Sequence, residues 1–470
     1  MKRFVTAARS AVAFLFASLM FTAMAEVTPD DYAKKLTITL SDAVGEGGLE
    51  NFPVLVRLSE SIQGFKYADF KEDGADMIFT DEAGKLLSHE VDTWDASGTS
   101  LVWVKIPSAQ AGVKIVCYFG GPSAAETVDP TAVWSNYTGV WHMGETKRGT
   151  YDEAEYDMVP NATGLAGTDG IVHGDTQLAT LGRIGGSADI ATVKTSIQKT
   201  DGLISNLQGD KHKAGVFVPA SADLGLYGQF AFSCWMRQKE ADFGWQRPFG
   251  NQSESTGFNT DFKSNGTHYN DKYYGTDNSG VKIYFNGKKI VDKYLGFTPI
   301  LAKDEWHYLT FVFDNRNVKL YEDGVCIATE TAPAAVKQST ALLGIGNYGA
   351  RFDVLDGAPW GGYIDEFRIY SGVPSAERIA AEYAAVENDE VLSYGYVEDV
   401  GLVYYPVNLT VPSGSVTYSV EPHHYQDEVP CFLSGTELTI TAVDETAVRF
   451  RKWRGDTENA IIDENYGSCS

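Results

Sequence analysis

Apolar and polar residues alternate along the first third of the chain. The runs LTITL, FPVLVRLSE, MIFTD, SLVWVKIP and VKIVCYFGG follow one another from residue 36 and are separated by Gly, Asp and Ser clusters. A period of two places successive side chains on opposite faces of a β-strand. The pattern therefore predicts an N-terminal β domain over residues 26–121.

A second β region is predicted over residues 134–390. Its stretch Trp306–Phe313 carries large apolar side chains on both faces, as in a strand that is covered on both sides. Val281–Gly287 ends in Asn-Gly and Val318–Gly324 ends in Asp-Gly. Both dipeptides favour tight hairpins, because the central turn residues need positive φ. Two packed sheets are predicted.

One helix is predicted near the end of this region. Ser375 follows Pro374 as an N-cap, and Ile379, Tyr383 and Val386 lie on one stripe. The runs LVYYPVNLTV, SVTYSVEP and TELTITAV then predict a small third β module over residues 400–470. The chain is therefore expected to be all-β, with smaller β domains on either side of a central one.

The N-terminus has the pattern of an export signal. Lys2, Arg3 and Arg9 precede the apolar run 11–21, and the small residues of Ala23–Ala25 follow it. We predict a signal peptide at residues 1–25. The apolar run is shorter than the roughly 20 residues needed to span a bilayer, and no second such run follows. The expected location is secreted or in the cell envelope, without an integral membrane segment.

Charge and cysteines narrow the possible partners. The formal net charge is −25, which repels phosphate backbones, so nucleic acid is not an expected partner.

The five cysteines form no C-x-x-C pair, which excludes a thiolate metal site. Cys117, Cys234 and Cys326 lie in apolar strand patterns and are predicted to be buried free thiols.

The central region resembles the laminin-G-like, concanavalin A-type jelly roll. This resemblance rests on the order of the segments Gly139–Met143, Phe232–Met236, Glu305–Tyr308 with Leu320–Gly324, and Gly362–Tyr370. It implies a two-sheet jelly-roll sandwich with flanking smaller β domains. Members of this family bind glycans or proteins, often with one calcium ion, and some related jelly rolls are glycoside hydrolases or lyases.

Both flanking regions also resemble known bacterial families. The first domain is similar to domain of unknown function 2341 through Phe52–Val56, Ala75–Phe79 and residues 101–120. The C-terminal module resembles an internalin-type B-repeat through Ser434–Ala442 and Phe450–Asp456. The usual final strand of that repeat is missing after residue 465, which leaves two alternatives: an incomplete repeat or a truncated chain.

No catalytic motif is found, and the protein is predicted not to be an enzyme. Jelly-roll glucanases place two carboxyls in the string Glu-x-Asp-x-x-Glu, which does not occur here. Asp365 and Glu366 are adjacent and are expected to point to opposite sheet faces, with one of them hydrogen-bonded to a loop. His142 and His307 lie in strand patterns and are predicted to be structural.

Aromatic residues in polar segments are the candidates for ligand binding. A sugar presents an apolar C–H face that packs on an aromatic ring, and its hydroxyls need polar partners. The alternative is that these aromatic residues cap the sandwich core. The predicted ligand-binding residues are Trp245, Tyr269, Tyr273, Tyr274, Asp277 and Trp360.

Calcium is the candidate cofactor, with Asp152, Asp157, Asn161 and Asp365 as its candidate ligands by the resemblance. Surface carboxylates more often only solvate a fold. The predicted function is recognition of a glycan or glycoprotein through loops of the jelly roll. Two alternatives stay open: a polysaccharide-active enzyme on the same fold, and a structural envelope protein.

Overall fold

The structure is a computed structural model of the whole chain. It describes residues 28–41, 48–124, 128–190, 214–239, 245–253, 255–263, 280–286, 288–289, 305–349 and 359–402, and shorter stretches between 404 and 469. The predicted signal peptide at 1–25 lies outside these residues. In the described part of the chain, no helix combines the length and the apolarity needed to cross a membrane.

The first domain packs two antiparallel sheets face to face. Inward-facing residues such as Leu36, Ile38, Phe52, Val54 and Val104 are fully buried between them, as the alternating pattern predicts. Its strands are β1 (Lys34–Leu40), β2 (Leu49–Leu58), β3 (Ile78–Asp81), β4 (Leu86–Leu87), β5 (His89–Thr93), β6 (Ser100–Ala109) and β7 (Lys114–Phe119).

The central region begins with strands that alternate between two sheets. These are β8 (Tyr137–Trp141), β9 (Lys147–Tyr151), β10 (Ala154–Val159), β11 (Gly170–His173), β12 (Gln177–Leu181), β13 (Gly186–Asp189), β14 (Gly215–Val218), β15 (Gln229–Gln238), β16 (Trp245–Gln246) and β17 (Phe249–Gly250). It continues with β18 (Phe258–Lys263), β19 (Gly280–Phe285), β20 (Lys288–Lys289), β21 (Trp306–Asp314), β22 (Asn317–Glu322), β23 (Val325–Thr331), β24 (Leu343–Ile345) and β25 (Gly362–Ser371).

These strands form the predicted two-sheet sandwich. The larger sheet has the order β20-β19-β18-β17-β24-β14-β11-β10-β9, with β16 beside β18. The smaller sheet has the order β12-β13-β25-β15-β21-β22-β23, with β8 beside β25. Aromatic rings fill the space between the sheets, and the Phe232 and Phe311 rings stack with centroids 4.7 Å apart. The all-β fold class is confirmed.

The predicted helix is also confirmed. It is α1 (Ala376–Glu387), and the Ser375 hydroxyl caps it by accepting a hydrogen bond from the Arg378 amide at 3.1 Å. Glu382 is buried on its inner side, where its carboxylate accepts from Tyr137 at 2.6 Å, Tyr308 at 3.0 Å and Arg378 at 2.9 Å. Arg378 also donates to the Glu50 carbonyl at 3.0 Å, so the helix joins the sandwich to the first domain.

After the helix, the chain returns to the first domain. Strand β26 (Leu392–Asp399) pairs antiparallel with β1, with Leu392 opposite Leu40. The first domain therefore has sheets of order β26-β1-β7-β3-β4 and β2-β6-β5. The sequence pattern predicts no strand at residues 391–399. The predicted boundary of the first domain at residue 121 therefore leaves out β26.

The C-terminal region forms two small sheets in its described parts. The strands are β27 (Tyr404–Pro406), β28 (Ser415–Tyr418), β29 (His424–Gln426), β30 (Val429–Leu433), β31 (Ile440–Val443), β32 (Ile462–Asp463) and β33 (Ser468–Cys469). The two sheets have the orders β27-β30-β29 and β28-β31-β33-β32.

The prediction of buried free thiols is confirmed for two of the three cysteines. Cys117 and Cys234 are buried free thiols, whereas Cys326 is exposed. Cys326 lies on β23, which is the edge strand of the smaller sheet in the described residues and is exposed along most of its length. The apolar pattern around Cys326 therefore reflects an edge strand rather than a core strand.

The buried Glu382 network gives a test of how the helix is held. Glu382→Leu leaves the Arg378 guanidinium and two tyrosine hydroxyls buried without their carboxylate, and the free energy of unfolding should fall by about 3–5 kcal/mol. Glu387→Leu on the same helix removes only a solvent-exposed ion pair and should cost less than about 1 kcal/mol. Urea denaturation measures both. Equal effects of the two substitutions would contradict this account.

Candidate functional site

The two sheets of the sandwich differ in what covers their outer faces. On the smaller sheet, Trp235 packs against Tyr383 of α1, with ring centroids 5.7 Å apart. On the same face the Arg368 guanidinium lies 4.3 Å from the ring centroid of Trp103 in the first domain. The helix and the first domain thus occupy the outer face of the smaller sheet. Polar side chains gather instead on the outer face of the larger sheet.

Strand β18 produces this polar arrangement by its alternation. Phe258 and Phe262 point into the core, so Asn259 and Asp261 lie on the other side of the sheet, where they are 5% and 2% exposed. Asp261 Oδ1 accepts from Arg247 Nε at 3.0 Å and from Asn259 Nδ2 at 3.3 Å. The Asn259 carboxamide and the Asp261 carboxylate are thereby fixed next to each other, and the Arg247 guanidinium holds the carboxylate.

An aromatic ring completes the arrangement. The Arg247 guanidinium lies 5.7 Å from the ring centroid of Tyr348, whose hydroxyl donates to the Gln252 carbonyl at 3.0 Å. Burial raises the pKa of Tyr348, Arg247 lowers it, and Asp261 raises it. The net effect is a raised pKa, so the hydroxyl stays protonated. We call Gln246, Arg247, Asn259, Asp261 and Tyr348 the polar face cluster.

Two atoms of the polar face cluster are buried without a hydrogen-bond partner among the described residues. They are Asn259 Oδ1 and Gln246 Nε2, in side chains of residues that are 5% and 4% exposed. A buried polar group without a partner costs about 1–3 kcal/mol. These two atoms are an unsatisfied acceptor and an unsatisfied donor of the cluster, and both are closed off from solvent.

The sequence-predicted aromatic residues lie along the chain next to this cluster. Trp245 is in β16, where it pairs with Lys263 of β18; its side chain lies outside the described residues. Tyr269, Tyr273, Tyr274 and Asp277 also lie outside them, in the segment that connects β18 to β19. These residues stay predictions.

Trp360 requires a correction. Its side chain is 1% exposed and belongs to the sandwich core, with its ring centroid 5.8 Å from that of Phe262. Its indole Nε1 donates to the Tyr363 carbonyl at 3.3 Å. A ring packed in this way cannot stack on a sugar, and Trp360 is withdrawn as a ligand-binding residue in favour of the core-capping alternative.

The four candidate calcium ligands lie in separate surroundings. Asp152 and Asp157 are exposed, and Asp157 pairs with Arg148 at 3.0 Å. Asn161 Oδ1 accepts from the backbone amide of Val140 at 3.0 Å and organises its own loop. None of these aspartates belongs to a group of three ligating side chains in the described part of the chain.

Asp365 has the structural role that the sequence suggested for one of the adjacent acids. Its Oδ2 accepts from the backbone amides of Arg183 at 2.7 Å and Ile184 at 2.8 Å. Burial and the neighbouring Glu366 raise the pKa of Asp365 well above its usual range. Asp365 therefore holds the backbone at residues 183–184 and is not a free calcium ligand; calcium as a cofactor stays a prediction.

The expectation that Asp365 and Glu366 point to opposite faces is wrong. Strand β25 contains a β-bulge at this place, and Glu366 has a φ of 51°. Ile364 and Phe367 both point into the core, so the two consecutive residues between them both point away from it. A bulge adds one residue to one strand and breaks the period of two.

A buried charge cluster forms where this bulge meets the first domain. His142 Nδ1 lies 2.6 Å from Glu366 Oε1 and 3.4 Å from Asp92 Oδ2, and its Nε2 lies 3.4 Å from Glu90 Oε2. Arg368 donates to Glu366 Oε2 at 2.6 Å. We call Glu90, Asp92, His142, Glu366 and Arg368 the interface cluster.

The charges of the interface cluster follow from this geometry. Burial lowers the pKa of His142, but Glu366 and Glu90 outweigh it and raise the pKa well above the usual value. For Glu366, burial raises the pKa and the cations His142 and Arg368 bring it down to about 2. Burial raises the pKa of Asp92 to about 6. His142 is therefore an imidazolium with both nitrogens facing carboxylates.

This arrangement favours a structural role over catalysis or metal binding. Asp92, His142 and Glu366 do bring one ligand atom each to within 4.8 Å of one another. Both nitrogens of His142 already face carboxylates, however, and the Arg368 cation beside Glu366 would repel a metal ion. The cluster connects the two domains, and sequence spacing could not reveal it, because its members come from distant strands.

Two family models match the chain. The concanavalin A-like lectin/glucanases superfamily, in its laminin-G-type form, matches residues 210–380. The domain of unknown function DUF2341 matches residues 73–156. The chain therefore contains a concanavalin A-like domain preceded by a DUF2341 domain. Neither match reaches the C-terminal module, whose likeness to a B-repeat stays a prediction. A comparison with curated proteins gives no match.

Several solved structures resemble the chain distantly. Domain 4 of AbnA, an extracellular arabinanase of Geobacillus stearothermophilus in complex with arabinotriose, is 17% identical with a TM-score of 0.33, covering 53% of this chain and 98% of that one. The receptor-binding domain of botulinum neurotoxin mosaic serotype C/D is 14% identical with a TM-score of 0.33, covering 53% and 50%. A pentraxin of Limulus polyphemus is 10% identical with a TM-score of 0.25, covering 33% and 69%. The chain thus spans about half of the toxin domain.

The raised pKa of Asp92 predicts how stability depends on pH. The folded protein holds the Asp92 proton up to a pKa of about 6, whereas the unfolded chain releases it at its usual, lower pKa. The free energy of unfolding should therefore fall as pH rises from about 4 to 7, and Asp92→Asn should remove up to roughly 3 kcal/mol of that decline. Urea denaturation across this range measures it. The exposed substitution Asp152→Asn should keep the original slope, and an equal slope in Asp92→Asn would contradict the assignment.

Proposed function

We propose that this chain is an exported protein that binds a glycan or the glycan of a glycoprotein at the polar face cluster. The observation that carries this proposal is the placement of Asn259 and Asp261 beside the Tyr348 ring, with Asn259 Oδ1 and Gln246 Nε2 buried and unpartnered. The concanavalin A-like domain match supports the same class of function.

The chemistry of the cluster suits a sugar. The ring of Tyr348 offers an apolar surface for a C–H face, and the Asp261 carboxylate accepts hydrogen bonds from hydroxyls. Asn259 adds an acceptor and Gln246 a donor, which matches the mixed character of sugar hydroxyls. Arg247 holds the carboxylate in place, with its Nε 3.0 Å from Asp261 Oδ1.

The predicted aromatic residues extend the site in this proposal. Trp245 begins β16 opposite Lys263, and the segment that starts directly after Lys263 contains Tyr269, Tyr273, Tyr274 and Asp277. They would supply further stacking surfaces along the same glycan chain. The polar face cluster offers one carboxylate, Asp261, whereas calcium takes six to eight oxygen ligands, so we expect binding to persist when calcium is removed.

The proposal favours a binder over an enzyme. Glycoside hydrolysis by the usual route needs two carboxyls on either side of the scissile bond, and the polar face cluster contains one, Asp261. The concanavalin A-like superfamily includes both lectins and glucanases by its name, so the distinction depends on this site and not on the fold.

Substitutions in the cluster test the proposal on a glycan array, with and without calcium. Asp261→Asn and Tyr348→Ala should each weaken binding by about tenfold or more, which corresponds to about 1.4 kcal/mol or more. Tyr274→Ala tests the adjoining segment. Tyr227→Ala is the matched control, since Tyr227 is 44% exposed and precedes β15 outside the cluster. Circular dichroism checks that each variant is folded.

The outcomes separate the alternatives. Binding that survives both Asp261→Asn and Tyr348→Ala would remove the polar face cluster as the site. Release of new reducing ends from a bound polysaccharide would show an enzyme instead of a binder. Failure to bind any glycan or glycoprotein would favour a structural envelope protein.

A further inference from the structure

A second group of ligating side chains lies at the end of one sandwich hairpin. His307 follows the first residue of β21, Glu322 ends β22, and Asp323 forms the turn to β23. One ligand atom from each lies within 4.8 Å of the others. We call these three residues the hairpin cluster; the polar face cluster and the interface cluster share no member with it.

The turn holds the hairpin cluster in one geometry. Asp323 has a φ of 49° and Gly324 a φ of 80°, which are the positive values that the Asp-Gly pattern predicts for a tight hairpin. Asp323 Oδ1 accepts from the Tyr308 amide at 2.8 Å, and the Asp323 amide donates to the Tyr308 carbonyl at 2.8 Å. The second carboxylate oxygen of Asp323 is thereby aimed at His307.

The distances within the hairpin cluster match metal coordination. His307 Nδ1 lies 3.0 Å from Asp323 Oδ2 and 3.4 Å from Glu322 Oε1. Ligands at about 2.0–2.2 Å from a tetrahedral zinc ion are separated by roughly 3.3 Å. The two separations measured from His307 Nδ1 are close to that value, and one ligand atom of each residue lies within 4.8 Å of the others.

Two members of the cluster are buried and incompletely partnered. The side chains of Glu322 and His307 are 9% and 10% exposed, and Glu322 Oε1 and His307 Nε2 have no hydrogen-bond partner among the described residues. Glu305 Oε2 lies 4.0 Å from His307 Nε2, close to the place where a carboxylate orients a metal-bound histidine.

The local charge favours a cation. Glu305, Glu322 and Asp323 surround one histidine, and no Lys or Arg of the described residues forms an ion pair with any of them. The exposed fractions of 31% for the Asp323 side chain and 70% for the Glu305 side chain leave a path from solvent.

We propose that the hairpin cluster binds a divalent transition-metal ion of the zinc class through His307 Nδ1, Glu322 and Asp323. A nitrogen ligand with two carboxylates fits zinc, whereas calcium prefers six to eight oxygens. Three protein ligands leave a fourth position open for water or for a donor atom of a partner. The competing interpretation is an imidazolium held by two carboxylates, which needs no metal.

Metal titration separates these two interpretations. The experiment uses the mature chain with Cys326→Ser, because this substitution removes the exposed thiol as a competing ligand. Bound metal is first removed with a chelator, and zinc chloride is then titrated into the protein by calorimetry. We expect uptake at one site that Glu322→Gln and Asp323→Asn each weaken at least tenfold and that His307→Gln abolishes. Glu330→Gln, the same change in the same hairpin but on β23, should leave zinc affinity unchanged.

Asp323→Asn is the most informative variant. Asparagine tolerates positive φ and keeps an acceptor for the Tyr308 amide, so the hairpin should stay folded while one anionic ligand is lost. Anomalous scattering at the zinc edge from crystals of the Cys326→Ser protein gives an independent readout. A zinc peak among the three side chains supports the proposal. Zinc affinity unchanged in Asp323→Asn, no uptake at all, or a peak elsewhere would overturn it.

Discussion

The compensation of buried charge at the bulge of β25 is the interaction on which the rest of the molecule depends. Glu366 lies between the cations His142 and Arg368, and Glu90 and Asp92 of the first domain face the same imidazolium. Taking any of these groups out of water alone would be costly, so each requires the others. The two domains therefore share one electrostatic unit, and a strained backbone position at Glu366 persists because its surroundings compensate it.

This shared interface decides which surface is left for recognition. Because α1 and the first domain occupy the outer face of the smaller sheet, the sandwich presents its other sheet and its loops to a ligand. The polar face cluster and the hairpin cluster belong to different sheets and use different chemistry: hydroxyl partners beside an aromatic ring in one, and a nitrogen with two carboxylates in the other. The fold supplies rigid strands for both.

Local patterns in the sequence predicted much of the fold and little of the candidate functional site. Period-two alternation predicted strands such as β1, and large apolar side chains on both faces predicted β21. Cap and turn residues predicted α1 and the Asp323 turn. The bulge at Glu366 could not be predicted, because it depends on pairing with β15 rather than on neighbours in sequence. Trp360 was misplaced because a polar, Gly-rich context does not reveal that one ring enters the core. Asn259 and Asp261 became candidates only once strand pairing set them beside Tyr348.

The pairing of β26 with β1 also sets an order of assembly. These strands meet across a sequence separation of 354 residues, as between Thr39 and Ser393, and the whole sandwich lies between them. During synthesis, β1 can pair with β7 early, but its other edge has no neighbour until the sandwich and α1 have emerged. An unpaired strand edge readily pairs with other chains. The first domain thus begins to form first, and its sheet is completed last. A sandwich that fails to fold would leave one edge of β1 unpaired.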